Sequence, residues 1–189
     1  MIRHLAAAMV FGALLTSGTA FAADAVAARG EPNSIMDTSA HVRPTDLSVL
    51  GFLPFYGYGF GLGVEGRYEI PVVRSGFIPS LNNSISIEPS FGISYSGSGV
   101  SGSDYHLTVF SPAVYGIWSF WFSEQFRAYG GLGLGYNIAV VSGFNAGTES
   151  FSSFYWDPVI GLFYRFAPAL AFRAEAGREA IKAGVSFFF

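Results

Sequence analysis

The sequence predicts an all-β protein: a closed, eight-stranded antiparallel transmembrane β-barrel with an up-and-down meander. Three observations carry this expectation. Apolar and polar residues alternate with a period of two in one stretch after another. Charge is scarce for the length of the chain. The N-terminus has the pattern of an export signal.

Of 189 residues, 51% are hydrophobic and only 12% charged, against roughly 25% charged in an ordinary soluble protein. Glycine (24) and phenylalanine (20) are both abundant. A soluble domain of this size needs more polar surface, whereas a lipid-facing one does not. The net charge of -3 offers no basic patch for nucleic acid or for an anionic membrane surface. The chain has no cysteine, which excludes disulfides, thiolate catalysis and thiolate metal sites.

Arg3 opens the chain, an apolar run follows from Leu5 to Leu15, and the triplet Ala20-Phe21-Ala22 comes after Thr16, Ser17, Gly18 and Thr19. This is the basic, apolar and small-residue order of a secretory signal peptide, with cleavage expected after Ala22. The apolar run is short for a spanning helix, which needs about 20 residues. Residues 23–45 lack periodicity and read as a flexible periplasmic arm ending near Pro44. The barrel is expected over 46–189.

Leu47–Val64, Tyr105–Ser123 and Ala128–Thr148 lack Asp, Glu, Lys and Arg and are long enough to suggest membrane helices. Their many glycines, and Pro54, are poor helix formers, though membrane helices tolerate both. The side-chain period decides the matter. Leu62, Val64, Gly66, Tyr68 and Ile70 alternate with Gly61, Gly63, Glu65, Arg67 and Glu69. Leu170, Phe172, Ala174 and Ala176 alternate with Ala171, Arg173, Glu175 and Gly177. Ile181, Ala183, Val185, Phe187 and Phe189 alternate with Lys182, Gly184, Ser186 and Phe188. A strand sorts these sets onto two faces, and a helix mixes them. In lipid only helices and closed barrels satisfy every backbone hydrogen bond, so the alternation points to a barrel. A soluble sandwich or lipocalin-like barrel is the competing reading, but it does not explain so many aromatics with so little charge.

Strands are expected at 46–56, 60–72, 84–95, 105–121, 126–142, 151–166, 169–177 and 180–189. The first is the least regular, because Leu47-Ser48-Val49-Leu50-Gly51-Phe52 does not alternate cleanly. An even count leaves both ends on one side. Short turns at 123–125 and 167–168 and a longer one at 73–83 then face the periplasm. Loops at 96–104 and 143–150 face outward. Interfacial girdles are expected from Tyr68, Trp121, Phe122, Tyr164, Phe166 and Phe187 on the periplasmic side. Tyr56, Tyr58, Tyr95, Phe154 and Trp156 make up the outer girdle, while Trp118 and Phe163 read as interior packing.

On the signal peptide, the strand number and the closing Val185-Ser186-Phe187-Phe188-Phe189, the chain resembles the small OmpA/OmpX-type bacterial outer-membrane barrels. The resemblance covers about 46–189. It implies a place in the outer membrane. It also implies that Val185, Phe187 and Phe189 form the signal read by the barrel-assembly machinery. The implied partners are that machinery and outer-membrane lipid, with no nucleic acid, and the chain is expected to be a monomer. One fold hosts many functions, so no single activity is implied.

Eight strands leave an interior just wide enough for side chains. The inward set by alternation includes Glu65, Glu69, Glu88, Asp157 and Glu175 against Arg67, Arg127, Arg165, Arg173 and Lys182. Buried charges must pair, and a hairpin centred on Arg178-Glu179 sets Glu175 across from Lys182. Inward glycines at 61, 63, 131, 133 and 135 would leave room for long arginine chains. The resulting expectation is a charge-plugged lumen in a non-enzymatic envelope protein that supports structure or presents loops. A narrow solute pore is the alternative, and a lipid A-modifying enzyme comes third.

No catalytic residue, metal site or cofactor is assigned. Outer-membrane lipid A deacylases use a His and a Ser on a strand near the lipid. The corresponding stretch here, His106-Leu107-Thr108-Val109, lacks the serine and has no assigned acid. Asp104 and His106 are two potential ligands, too few for a metal site. Gly131-x-Gly133-x-Gly135 has neither the helix nor the lysine of a phosphate loop.

Overall fold

The computed structural model describes residues 32–39, 41–55, 60–98, 105–143 and 147–189. The signal segment 1–22, Tyr56, Tyr58 and Asp104 lie outside them. Eight strands follow one another along the chain. They are β1 (Asp46–Pro54), β2 (Phe60–Val73), β3 (Asn83–Ser98), β4 (Tyr105–Trp121), β5 (Phe126–Gly143), β6 (Gly147–Ala167), β7 (Leu170–Gly177) and β8 (Ala180–Phe188). Each pairs antiparallel with the next, and β1 closes on β8 from Asp46↔Phe188 to Pro54↔Ala180. Closure leaves neither β1 nor β8 as an open sheet edge.

The alternation of the sequence is the alternation of the wall. Leu62, Val64, Tyr68 and Ile70 are exposed on β2, while Glu65, Arg67 and Glu69 are buried. The irregular β1 obeys the same rule: Asp46, Ser48, Leu50 and Phe52 all point inward. Its pattern is hard to read because its inward face mixes polar and apolar residues.

The barrel is lopsided. β7 pairs with β6 only from Val159 onward, whereas β6 continues to pair with β5 as far as Gly143↔Gly147. The β5–β6 hairpin therefore projects beyond the short β7–β8 edge, and the side chains of 149–154 are exposed on both faces. The paired strands extend into the expected loop 143–150, as far as Gly143 and from Gly147 onward, since two paired strands satisfy their backbones outside the lipid without a third.

Several expectations need correction. Within the expected arm, residues 33–37 and 43 are hydrogen-bonded to Asn82, Arg74 and Glu124 at the barrel end. Trp121 is no girdle residue. It is buried inside, its indole N–H donating to Ser84 Oγ at 3.0 Å. Trp118 is not interior packing. It lies on the outward face of β4, against Phe77 and Phe120, and donates to Asn83 Oδ1. Phe163 is interior. Three of the inward glycines make room for rings rather than arginines: a Cβ on Gly63 would meet Phe52, one on Gly133 Tyr115, and one on Gly135 Tyr155, whereas Gly61 faces Ser96 and Pro54, and Gly131 faces Ile117.

Candidate functional site

The chemistry-bearing residues converge in the lumen. Arg67 on β2 forks onto Glu175 on β7 at 2.7 and 2.8 Å, and its Nε donates to Glu65 at 2.5 Å. The guanidinium lies 3.7 Å from the centre of the Tyr115 ring. Arg173 on β7 reaches Glu88 on β3 at 2.8 Å and Ser48 on β1 at 3.1 Å. Arg173 Nε donates to the Tyr129 hydroxyl, which donates to Glu175 at 2.8 Å. Charged forks of this kind are the strong hydrogen bonds of a protein interior.

Towards the outer end, Lys182 on β8 donates to Glu65 at 2.8 Å and to the Tyr115 hydroxyl on β4 at 3.2 Å. It also faces Glu175 at 3.5 Å and Asp157 at 3.7 Å. Asp157 in turn accepts the backbone N–H groups of Arg178 and Glu179, fixing the β7–β8 turn. Gly177 is needed there, because a Cβ would lie 2.6 Å from the Asp157 carboxylate. A small cavity of about 20 Å³ lies at this end, with Phe52, Asn137 and Tyr155 in its walls, and reaches Glu65 and Lys182.

At the other end, Arg127 on β5 forks onto Glu69 on β2 at 2.8 and 2.9 Å and reaches Asp46 on β1 at 3.3 Å. Ser48 donates to Asp46 at 2.9 Å and so accepts from Ser186 at 2.6 Å. Arg127 lies 3.7 Å from the Phe163 ring centre and 4.9 Å from that of Trp121.

Nine of the ten expected inward charges meet in these clusters: Glu65, Arg67, Glu69, Glu88, Arg127, Asp157, Arg173, Glu175 and Lys182. Arg165 does not. It sits half-buried at the rim, 4.4 Å over the Phe188 ring, and no carboxylate lies within ion-pair distance among the described residues. Its strand has bent away from the ladder at a bulge just beyond it, between Arg165 and Ala167.

Asp46 was missed. It is fully buried, and its only signal was its parity with Ser48, in the strand whose pattern was least clear. The tyrosines that bridge the charges, Tyr115 and Tyr129, were missed as well. With Asp46 in and Arg165 at the rim, six buried carboxylates (Asp46, Glu65, Glu69, Glu88, Asp157 and Glu175) face four buried cations (Arg67, Arg127, Arg173 and Lys182) in the strands.

His106 lies on the outward face of β4, stacked on Tyr95 with ring centres 5.6 Å apart, and its Nδ1 bonds to the Tyr95 hydroxyl. Among the described residues no three His, Cys, Asp or Glu side chains are grouped to hold a metal ion. Val185 and Phe187 lie on the outward face of the closing strand, and Phe187 and, just beyond the strand, Phe189 are exposed.

Residues 11–186 match the family described as the outer membrane protein beta-barrel domain. The chain belongs to that family. Its place is the bacterial outer membrane, and the lumen described above is the interior of an outer-membrane barrel. No curated protein sequence matches it significantly. Among solved structures it is similar to Ail, the attachment invasion locus protein of Yersinia pestis. That alignment has 19% identity and a TM-score of 0.51, covering 77% of this chain and 97% of Ail. It is also similar to Neisserial surface protein A, at 14% identity and a TM-score of 0.57 over 77% of this chain and 97% of that one. The outer membrane enzyme PagL aligns at 17% identity over 76% of this chain and 97% of that one, with a TM-score of 0.39. At these identities the likeness is one of fold.

Proposed function

We propose that this outer-membrane barrel is a non-enzymatic envelope protein with a plugged lumen, which presents its projecting hairpins to the outside rather than conducting solutes. One observation carries the reading: ion pairs and hydrogen bonds join strands on opposite walls. Glu88–Arg173 joins β3 to β7, Asp46–Arg127 joins β1 to β5, and Lys182–Tyr115 joins β8 to β4. In an eight-stranded barrel each of these links crosses the full width of the lumen. An interior that side chains can just fill is then filled.

In the same reading the chain is a monomer, exported by a signal cleaved after Ala22 and contacting outer-membrane lipid. Val185 and Phe187 on the closing strand, with Phe189 just beyond it, serve as the signal for the barrel-assembly machinery. Single-channel recording in a planar bilayer tests the plug. The purified barrel is expected to give no steady conductance. A steady, reproducible conductance from the wild type would overturn the reading in favour of a narrow pore.

A further inference from the structure

The periplasmic end carries a feature that strand closure does not require. Residues 33–37 form a turn. Asn33 takes a φ of 62°, a left-handed conformation that asparagine tolerates better than most residues. Its backbone N–H donates to Asp37 at 2.7 Å, and Asp37 N–H donates to the Ser34 carbonyl at 3.0 Å. Hydrogen bonds from Ser39, with help from the Asn33 backbone, hold the Asp37 carboxyl down at about 2.

Asn82, just before β3, clamps this turn with all of its polar groups. Its backbone N–H donates to the Ile35 carbonyl at 2.8 Å, and its side-chain amide donates to the Ser34 carbonyl at 3.1 Å. Its side-chain oxygen accepts from Arg43 at 2.5 Å, and its backbone carbonyl accepts from Trp121 N–H at 2.9 Å. Arg43 also donates to the Arg74 carbonyl at 3.3 Å, and its guanidinium lies 4.6 Å over the Trp121 ring. Trp121 is the inward residue at the end of β4, and the same ring carries Arg127 of the lumen.

Arg43, Trp121 and Arg127 thus form one stack running from the arm into the barrel. Burial, with Arg127 adding to it and Glu69 opposing, draws Arg43 down to about 10, so it is still charged when docked at neutral pH. The interior that it meets has more carboxylates than cations, and a guanidinium at the rim suits that balance.

We infer that residues 33–39 and 41–43 belong to a strap that closes the periplasmic mouth, latched by Arg43 and Asn82 over Trp121. The inference extends the plugged-lumen reading but does not share its test, because the strap governs entry at one end whether or not the middle is sealed.

The absence of cysteine allows a clean experiment. Ser119 points inward two residues before Trp121, is buried, and its hydroxyl has no hydrogen-bond partner. Ser119→Cys therefore places a thiol behind the latch without breaking a bond. The refolded full barrel is treated with a small thiol reagent, with Ser123→Cys on the exposed β4–β5 turn as the reference. Folding is checked by heat-dependent gel migration. Ser119→Cys is expected to label at least tenfold more slowly than the reference. Adding Arg43→Ala or Asn82→Ala should raise the rate at least tenfold, and Arg43→Lys should raise it less. If Ser119→Cys labels as fast as the reference, or if neither added substitution changes its rate, the strap is not a closure. Conductance of the Arg43→Ala barrel separates the two proposals. A channel opened by that change, together with faster labelling, would support the strap and sink the Arg67–Glu175 and Arg173–Glu88 contacts as the plug. No channel with faster labelling would support both.

Discussion

Glu88 and Arg173 meet at 2.8 Å although they come from β3 and β7, strands on opposite walls of the barrel. Neither side chain reaches solvent. The contact fixes the barrel across its width, which the backbone ladder around its circumference does not do.

This relationship sets the first expectation. Glu88→Ala or Arg173→Ala leaves its partner buried without its main counter-charge, which costs about 3–5 kcal/mol. Replacing both, as Glu88→Leu with Arg173→Met, removes the stranded charge and is expected to cost less than either single change. Urea unfolding of the refolded barrel in lipid vesicles measures all three. A double variant no more stable than the worse single one would mean that the wider network, not the pair, sets the cost.

The ring packing over the inward glycines gives a second. A Cβ at Gly133 would lie within 2.7 Å of three atoms of the Tyr115 ring, and that ring supports both Arg67 and Lys182. Gly133→Val is expected to destabilise by about 1–3 kcal/mol, as overpacking does. Gly116 has open space around it, so Gly116→Ala should be close to neutral. Equal losses at the two positions would show that strand flexibility, not the ring, is what Gly133 supplies.

A third concerns where lipid ends. Val64 is exposed on the outward face of β2, within the part of the wall that β1 and β3 both flank. Val64→Arg is expected to cost about 2–4 kcal/mol in a bilayer, the depth-dependent penalty for a charge on the lipid face. Ser153, on the projecting part of β6, should accept arginine within about 0.5 kcal/mol. A large loss at Ser153→Arg would place the membrane boundary further out than the two-faced exposure of 149–154 suggests.

The last concerns catalysis. His106 is engaged with Tyr95, and Thr108 stands where a serine would be needed. Mass spectra of lipid A from cells expressing the wild type and His106→Ala should be identical. An acyl chain missing only with the wild type would make the barrel an enzyme.

The sequence by itself determined the class of fold, the order of the eight strands and the faces of most of their residues, Trp118 and Trp121 excepted. In a barrel between lipid and a packed lumen, every second residue meets the same solvent, so a period of two can be read without any knowledge of distant contacts. It also placed Glu175 across from Lys182, because a two-residue hairpin fixes the register locally, and the ladder pairs them. The partners that bear most on stability were decided only by closure. Glu175 accepts a forked pair of hydrogen bonds from Arg67, 108 residues away, and Arg127 pairs with Glu69 and Asp46 rather than with its hairpin neighbours. No local pattern encodes those choices. They depend on strand stagger and lumen width, which exist once β1 has met β8. The same holds for Trp121 and Asn82. Trp121 reads as an interfacial residue and Asn82 falls in the expected 73–83 turn, and both became parts of the periplasmic closure when the arm folded back across the mouth.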